Sequence, residues 1–155
     1  MGSELEICAA ARALACYMRM AILGWMIGEG EVGPSGVATE FELDDSVATR
    51  HLSRLSGCGL IVGEFRGNEH RYRLAKRDGA TLGSRLLFAV LPVLKGCKFE
   101  DGASLEAQEI FSACTAFTYP RRIQVLRHVL SKPGPTVETL SLDLQIPYPS
   151  VIRHL

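Results

Sequence analysis

The sequence predicts a mainly α protein of the α+β kind, in which a two-stranded hairpin follows a set of helices and a second, partial helical unit comes after it. Three observations carry this reading. Apolar residues recur at helical spacing over residues 3–27, 44–56 and 80–94, two β-type runs flank a Gly-Asn turn at 67–68, and the helical pattern returns at an offset of 103 residues.

Residues 3–15 are alanine-rich and helix-forming, with Leu5, Cys8, Ala9 and Leu14 available for an apolar stripe. A helix over 17–27 sets Met20, Leu23 and Ile27 on one face. Residues 29–36 are dense in glycine and proline and read as a loop, after which a short helix fits 37–42. Asp44 is an N-cap for the next helix and Asp45 a first-turn acid at the positive end of its dipole. That helix runs to about Ser56, where Gly57-Cys58-Gly59 ends it. Its core positions are Ala48, Leu52 and Leu55, which leaves Ser46, Thr49, Arg50, Ser53 and Arg54 together on the opposite side.

Runs 60–65 and 70–74 are strands joined by Arg66-Gly67-Asn68-Glu69, with Tyr72 and Leu74 on one face of the second strand and Arg71 and Arg73 on the other. Residues 80–94 make a further apolar helix that Pro92 ends or kinks near Val90. Residues 96–103, with Gly96 and Gly102, read as a linker. Helices are then expected over 104–117, over 121–130 with Pro120 at the first helical position, and over 137–144, with the start of a fourth from 147.

The offset of 103 aligns Arg50-His51-Leu52 with Arg153-His154-Leu155 and extends into the flanks: Glu6-Ile7 falls on Glu109-Ile110, Ala10 on Ala113, Arg19 on Arg122 and Leu23 on Leu126. Val37, Phe41 and Leu43 meet Leu140, Leu144 and Ile146, apolar on apolar. The expectation is one unit over 1–95, a linker over 96–103, and a second unit over 104–155 that is cut inside its last helix.

With 155 residues, of which 47% are hydrophobic, the chain has material for one moderate core or two small ones. Its zero formal charge hides an uneven distribution: residues 1–43 sum to −4 and residues 44–77 to +3. The apolar stretch 7–27 is interrupted by Arg12 and Arg19, which argues against a membrane span, and Glu4 and Glu6 occupy the place of a positive leader. A cytoplasmic protein is expected. Five cysteines, an odd number with no close pair, suit reduced thiols, although a redox pair of Cys58 with Cys97 is conceivable. No nucleophile with its base, phosphate loop or paired acid site is evident, so neither an enzyme nor a cofactor is expected.

Two short helices with a tight turn, followed by a basic hairpin, constitute a winged helix-turn-helix. The second helix of the pair is narrow enough for the major groove of double-stranded DNA, where arginine pairs bidentately with guanine and Ser or Thr suits phosphates or base edges. The hairpin tip reaches an adjacent phosphate or the minor groove through Arg66, Asn68 and Arg71. The basic helix face has a plainer reading as solvated surface, and His51, at its border, either contacts DNA or packs inward. A winged helix that serves protein contacts without touching DNA is the rival function.

These residues resemble the ArsR-type bacterial winged-helix repressors. The resemblance rests on Arg19-Met20-Ala21-Ile22-Leu23, on the run from Leu43-Asp44-Asp45-Ser46-Val47-Ala48-Thr49 to Arg50-His51-Leu52-Ser53-Arg54-Leu55, on Gly59-Leu60-Ile61-Val62, and on Tyr72-Arg73-Leu74. Arg122-Ile123-Gln124-Val125-Leu126 and Pro149-Ser150-Val151-Ile152-Arg153-His154-Leu155 repeat it. It implies a transcriptional repressor, either a homodimer or, with two units in one chain, an intramolecular pseudo-dimer. It also implies DNA contact by Ser46, Thr49, Arg50 and His51, and by Ser150, Arg153 and His154 in the second copy. The family's usual metal positions are vacant of ligands here: residues 36–43 contain no cysteine or histidine, and 80–94 no acid or histidine. Cys8 and Cys16, about 12 Å apart along one helix, are too distant to share a metal without help.

Overall fold

A computed structural model describes residues 2–78, 81–95 and 104–155. Helices α1 (Gly2–Leu14) and α2 (Tyr17–Glu29) meet at an 83° bend and lead into a two-residue strand β1 (Glu31–Val32). Then come α3 (Pro34–Glu40), α4 (Asp45–Gly57), the hairpin β2 (Ile61–Arg66) and β3 (Glu69–Leu74), and α5 (Leu82–Leu94). Four helices complete the described chain: α6 (Leu105–Ala116), α7 (Pro120–Ser131), α8 (Val137–Leu144) and α9 (Tyr148–His154). The mainly helical winged helix-turn-helix expected from the sequence is the fold found.

The wing has three strands where two are expected. β3 lies in the centre of an antiparallel sheet, pairing Tyr72 with both Val32 of β1 and Gly63 of β2. A strand of two residues inside a glycine-rich loop has no periodicity of its own, so only its pairing with β3 defines it. The loop is also shorter than expected, because Pro34 starts α3 from the first helical position, where a missing N–H costs nothing.

Three local expectations are refined. Asp44 occupies the N-cap of α4, but its side chain makes no cap hydrogen bond; Val47 and Ala48 donate to its backbone carbonyl instead. Pro92 does not end α5, which continues to Leu94, two residues beyond it. Proline this close to a helix end forfeits one backbone bond while packing of Leu87, Val90 and Leu94 in the core holds the last turn. Cys8 and Cys16 do not share one helix, since Cys16 is the N-cap of α2 beyond the bend. The expected linker, Cys97 with it, lies outside the described residues, as does residue 80.

The main core gathers Leu14, Met20, Ile22, Leu23, Met26, Leu52, Leu55, Leu60, Tyr72 and Leu87. Helix α6 joins it, with Cys114 buried and Phe111 stacked on Tyr17 at 4.6 Å. A second, smaller cluster holds Val125, Leu140, Ile146 and Val151. Among the described residues no single helix is long and apolar enough to cross a membrane.

The offset seen in the sequence recurs in the backbone. Gly2, Tyr17, Pro34 and Asp45 begin α1 to α4, and Leu105, Pro120, Val137 and Tyr148, each 103 residues later, begin α6 to α9. Among the described residues, Glu42 and Gln145 are the two non-glycine residues with positive φ, at 51° and 54°. Leu43 donates to the Ala38 carbonyl at 2.9 Å, and Ile146 to that of Ser141 at 3.1 Å.

Gly59, at φ 76°, is the left-handed residue after α4, and Leu60 N–H bonds to Leu55 O beyond it at 3.1 Å. The first turn of α5 packs directly on this cap: a Cβ at Gly83 would come within 1.9 Å of the Cys58 carbonyl oxygen. Gly83→Ala is therefore expected to destabilise the fold by about 1–3 kcal/mol, the usual cost of overpacking. Gly28→Ala, on an exposed helical position with nothing within 4 Å, should stabilise it by about 0.5–1 kcal/mol. Urea unfolding midpoints of the two variants, moving in opposite directions, check this pair.

Candidate nucleic-acid interface

Helix α4 is built with one apolar side and one polar side. Ala48, Leu52 and Leu55 are fully buried against the main core. Ser46, Thr49, Arg50, Ser53 and Arg54 are all exposed on the opposite face, as the spacing predicts. Among the described residues no acid lies within ion-pair distance of Arg50 or Arg54, so both charges are available to an external anion.

The wing differs. Arg66 pairs with Glu31 at 3.2 Å, Arg71 with Glu69 at 2.6 Å and Arg73 with Glu64 at 2.8 Å. The basic wing of the sequence is thus largely neutralised at its own surface, an arrangement that linear spacing does not disclose because Glu31 arrives on β1. Such exposed pairs are worth about 0–1 kcal/mol each, so a phosphate can compete for the arginines at small cost. Asn68, at the tip, is exposed. Glu64 is held below the usual carboxylate range by its hydrogen bond from Arg73.

His51 is half-buried on the flank of α4, its Nδ1 buried without a hydrogen-bond partner. Desolvation, then the guanidinium groups of Arg19, Arg54 and Arg50, push its pKa below the ordinary 6.5. Arg19 was not among the site residues expected from sequence. It is 7% exposed, donating from Nε to the Ala13 carbonyl at 2.6 Å and from Nη2 to the Arg12 carbonyl at 2.7 Å. The only signal in the sequence is that it interrupts an apolar run.

Arg153 is exposed on α9, with Ser150 and His154 half-buried. His154 is pushed below its ordinary pKa by desolvation and by Arg122, Arg121 and Arg153. Arg122 and Arg153 stand 103 residues after Arg19 and Arg50, so the two histidines share corresponding neighbours. Cys58 is half-buried and its thiol donates towards the Arg54 and Leu55 carbonyls, while burial raises its pKa. No group of three or more metal-ligating side chains occurs among the described residues.

A short helix, a tight turn, a second helix with an exposed polar and basic face, and a small antiparallel wing beside it define a winged helix-turn-helix protein of the kind that binds DNA. The HTH-type transcriptional regulators CmtR of Mycobacterium tuberculosis (strain ATCC 25618 / H37Rv) and of Mycobacterium bovis (strain ATCC BAA-935 / AF2122/97) are each 38% identical to the chain over 101 residues, covering 64% of this chain and 85% of theirs. The chain belongs to this family of HTH-type transcriptional regulators, and DNA-binding regulation is its class of activity. No protein-family profile matches the chain. No solved structure matches it either.

The depressed pKa of His51 has a consequence for stability. The unfolded chain takes up this proton at a higher pH than the folded one, so the contribution of neutral His51 is complete above about 6.5 and is lost as the pH falls below it. Unfolding midpoints measured at about pH 7 and about pH 5 should fall towards acid, and His51→Gln should flatten the decline. An equal decline in that variant would remove His51 as its source.

Proposed function

We propose that the protein is a repressor of the ArsR type that binds double-stranded DNA sequence-specifically, placing α4 in the major groove and the wing on the adjacent backbone or minor groove. The observation that carries this is the outer face of α4, where Ser46, Thr49, Arg50, Ser53 and Arg54 stand exposed and the two arginines have no ion-pair partner among the described residues. Arg50 and Arg54 supply charge to phosphates or guanine edges, Ser46, Thr49 and Ser53 the shorter hydrogen bonds, and His51 a flanking donor. Arg66, Asn68 and Arg71 serve the wing after exchange of their carboxylate partners for phosphate. This reading places the protein in the cytoplasm, with the DNA it regulates.

The chain is further read as a tandem duplication. Matching helix starts, the left-handed pair Glu42 and Gln145, and the matching Leu43 and Ile146 backbone bonds support this. On that reading the boundaries are residues 1–95 and 104–155, joined by a linker, and α9 is a second reading helix carrying Ser150, Arg153 and His154. Contact between α1 and α6, the first helix of each unit, favours an intramolecular pseudo-dimer over a homodimer.

The test is a salt titration of binding to a duplex selected by the unaltered protein from a random-sequence pool. Arg50→Ala and Arg54→Ala should each weaken binding and lower the slope of log K against log salt by about 1. Light scattering with footprint length decides the assembly: a monomer protecting two half-sites supports the pseudo-dimer, and a dimer doing so the alternative. Salt-insensitive or absent binding overturns the DNA reading and leaves a protein-contact module.

A further inference from the structure

The hairpin carries an aromatic ladder that the ionic and hydrogen-bonding reading of the wing does not use. On one face of β2 and β3, Ile61 pairs with Leu74, Gly63 with Tyr72 and Phe65 with His70, going from the core to the tip. Tyr72 is buried in the core. The His70 ring lies 4.4 Å from the Tyr72 ring and is hydrogen-bonded to its hydroxyl through Nδ1 at 3.0 Å. Phe65 stacks on the other side of His70, ring centroids 4.4 Å apart and planes within 7° of parallel, while 76% of its surface stays exposed.

Gly63 makes this arrangement possible. A Cβ there would approach His70 Nε2 to 2.7 Å and Tyr72 Cε1 to 2.8 Å, so any side chain at that position displaces both rings. Glycine weakens a strand interior, and here the loss is matched by an anchored stack that ends in an exposed phenyl ring. A single exposed apolar residue is ordinary on a protein surface. An exposed ring held rigid by two others, one residue before the wing tip, is a preformed contact.

Its position indicates what it meets. His70 and Glu69 line a cleft of about 290 Å³ with Asp45 and Thr49 of α4, so this end of the ladder borders the space between the wing and the reading helix. A DNA strand entering that space presents deoxyribose and base-edge surface, and among the described residues no aromatic side chain other than His70 stacks on the Phe65 ring. We propose that Phe65 is a DNA-contacting residue that packs its ring against sugar and base edges of the minor groove beside the site read by α4, with His70 and Tyr72 as its positioning residues. This rests on the DNA-binding reading given above. An apolar contact of this kind releases no counterions, so it adds affinity that salt does not remove.

The experiment compares the unaltered protein, Phe65→Ala, Phe65→Leu and Arg50→Ala on the selected duplex across a range of salt concentrations, with circular dichroism spectra and unfolding midpoints as the check on folding. Phe65→Ala should weaken binding about tenfold at every salt concentration with an unchanged slope, Phe65→Leu less, and Arg50→Ala should lower the slope. Hydroxyl-radical footprints should lose protection at the wing position in Phe65→Ala alone. Binding by Phe65→Ala within twofold of the unaltered protein overturns the proposal while the DNA reading stands. Loss confined to a reduced slope also overturns it, because that marks an electrostatic change. No salt-dependent binding by the unaltered protein overturns both.

Discussion

The buried guanidinium of Arg19 is the interaction on which the rest of the structure leans. Helix α1 stops at Leu14 and the chain bends by 83° into α2, leaving the last carbonyls of α1 without intrahelical donors in a region where water is excluded. Arg19 reaches back from the first turn of α2 and donates to two of them, at Arg12 and Ala13. Burying a charge costs several kcal/mol when it is left alone, but here it sits at the negative end of a helix dipole with its donors engaged. Desolvation, the largest influence on it, lowers its pKa, which a guanidinium tolerates without losing its proton at neutral pH.

From that corner the arrangement of the interface follows. Helix α1 touches α4, α5, α6 and α7, so the angle between α1 and α2 bears on how α4 and the helices after α5 are seated. Desolvation first, and then the field of Arg19 with those of Arg54 and Arg50, lowers the pKa of His51. The exposed charge on the outer side of α4 is carried by Arg50 and Arg54. The wing arginines, each paired with a glutamate, add shape more than field. This is how a chain of zero formal charge presents one locally cationic helix.

The helices were legible because each has a complete local signal. Ala48, Leu52 and Leu55 against Thr49, Arg50 and Arg54 form a period that only a helix satisfies, and the structure separates them to opposite sides. What escaped the sequence depends on distant partners. Val32 becomes a strand residue only because Tyr72 is there to pair with it, and Arg66 loses its free charge only because that strand brings Glu31 alongside. That α5 runs past Pro92 has a related reason: proline opposes helix locally, while the burial of Leu94 beyond it is a tertiary effect. Arg19 is the extreme case, since an arginine in an apolar run looks like an interruption until the carbonyls six and seven residues away are seen to need it.

The correspondence between the two halves separates what the turn requires from what the reading face contains. A left-handed, non-glycine residue costs on the order of 1 kcal/mol, and it stands at equivalent places in Glu42 and Gln145. The bonds that follow, from Leu43 to Ala38 and from Ile146 to Ser141, involve different residues but the same backbone groups. This turn sets the angle between the paired helices, and so the direction in which the second one projects. Over the positions that can be compared the faces differ in part: at the offset of 103, Ser46 and Thr49 correspond to Pro149 and Ile152, while Arg50 and His51 meet Arg153 and His154. Exposed Ile152 offers a methyl contact where Thr49 offers a hydroxyl. On the proposed reading, the two helices share the Arg-His pair and differ in what they present at these two neighbouring positions.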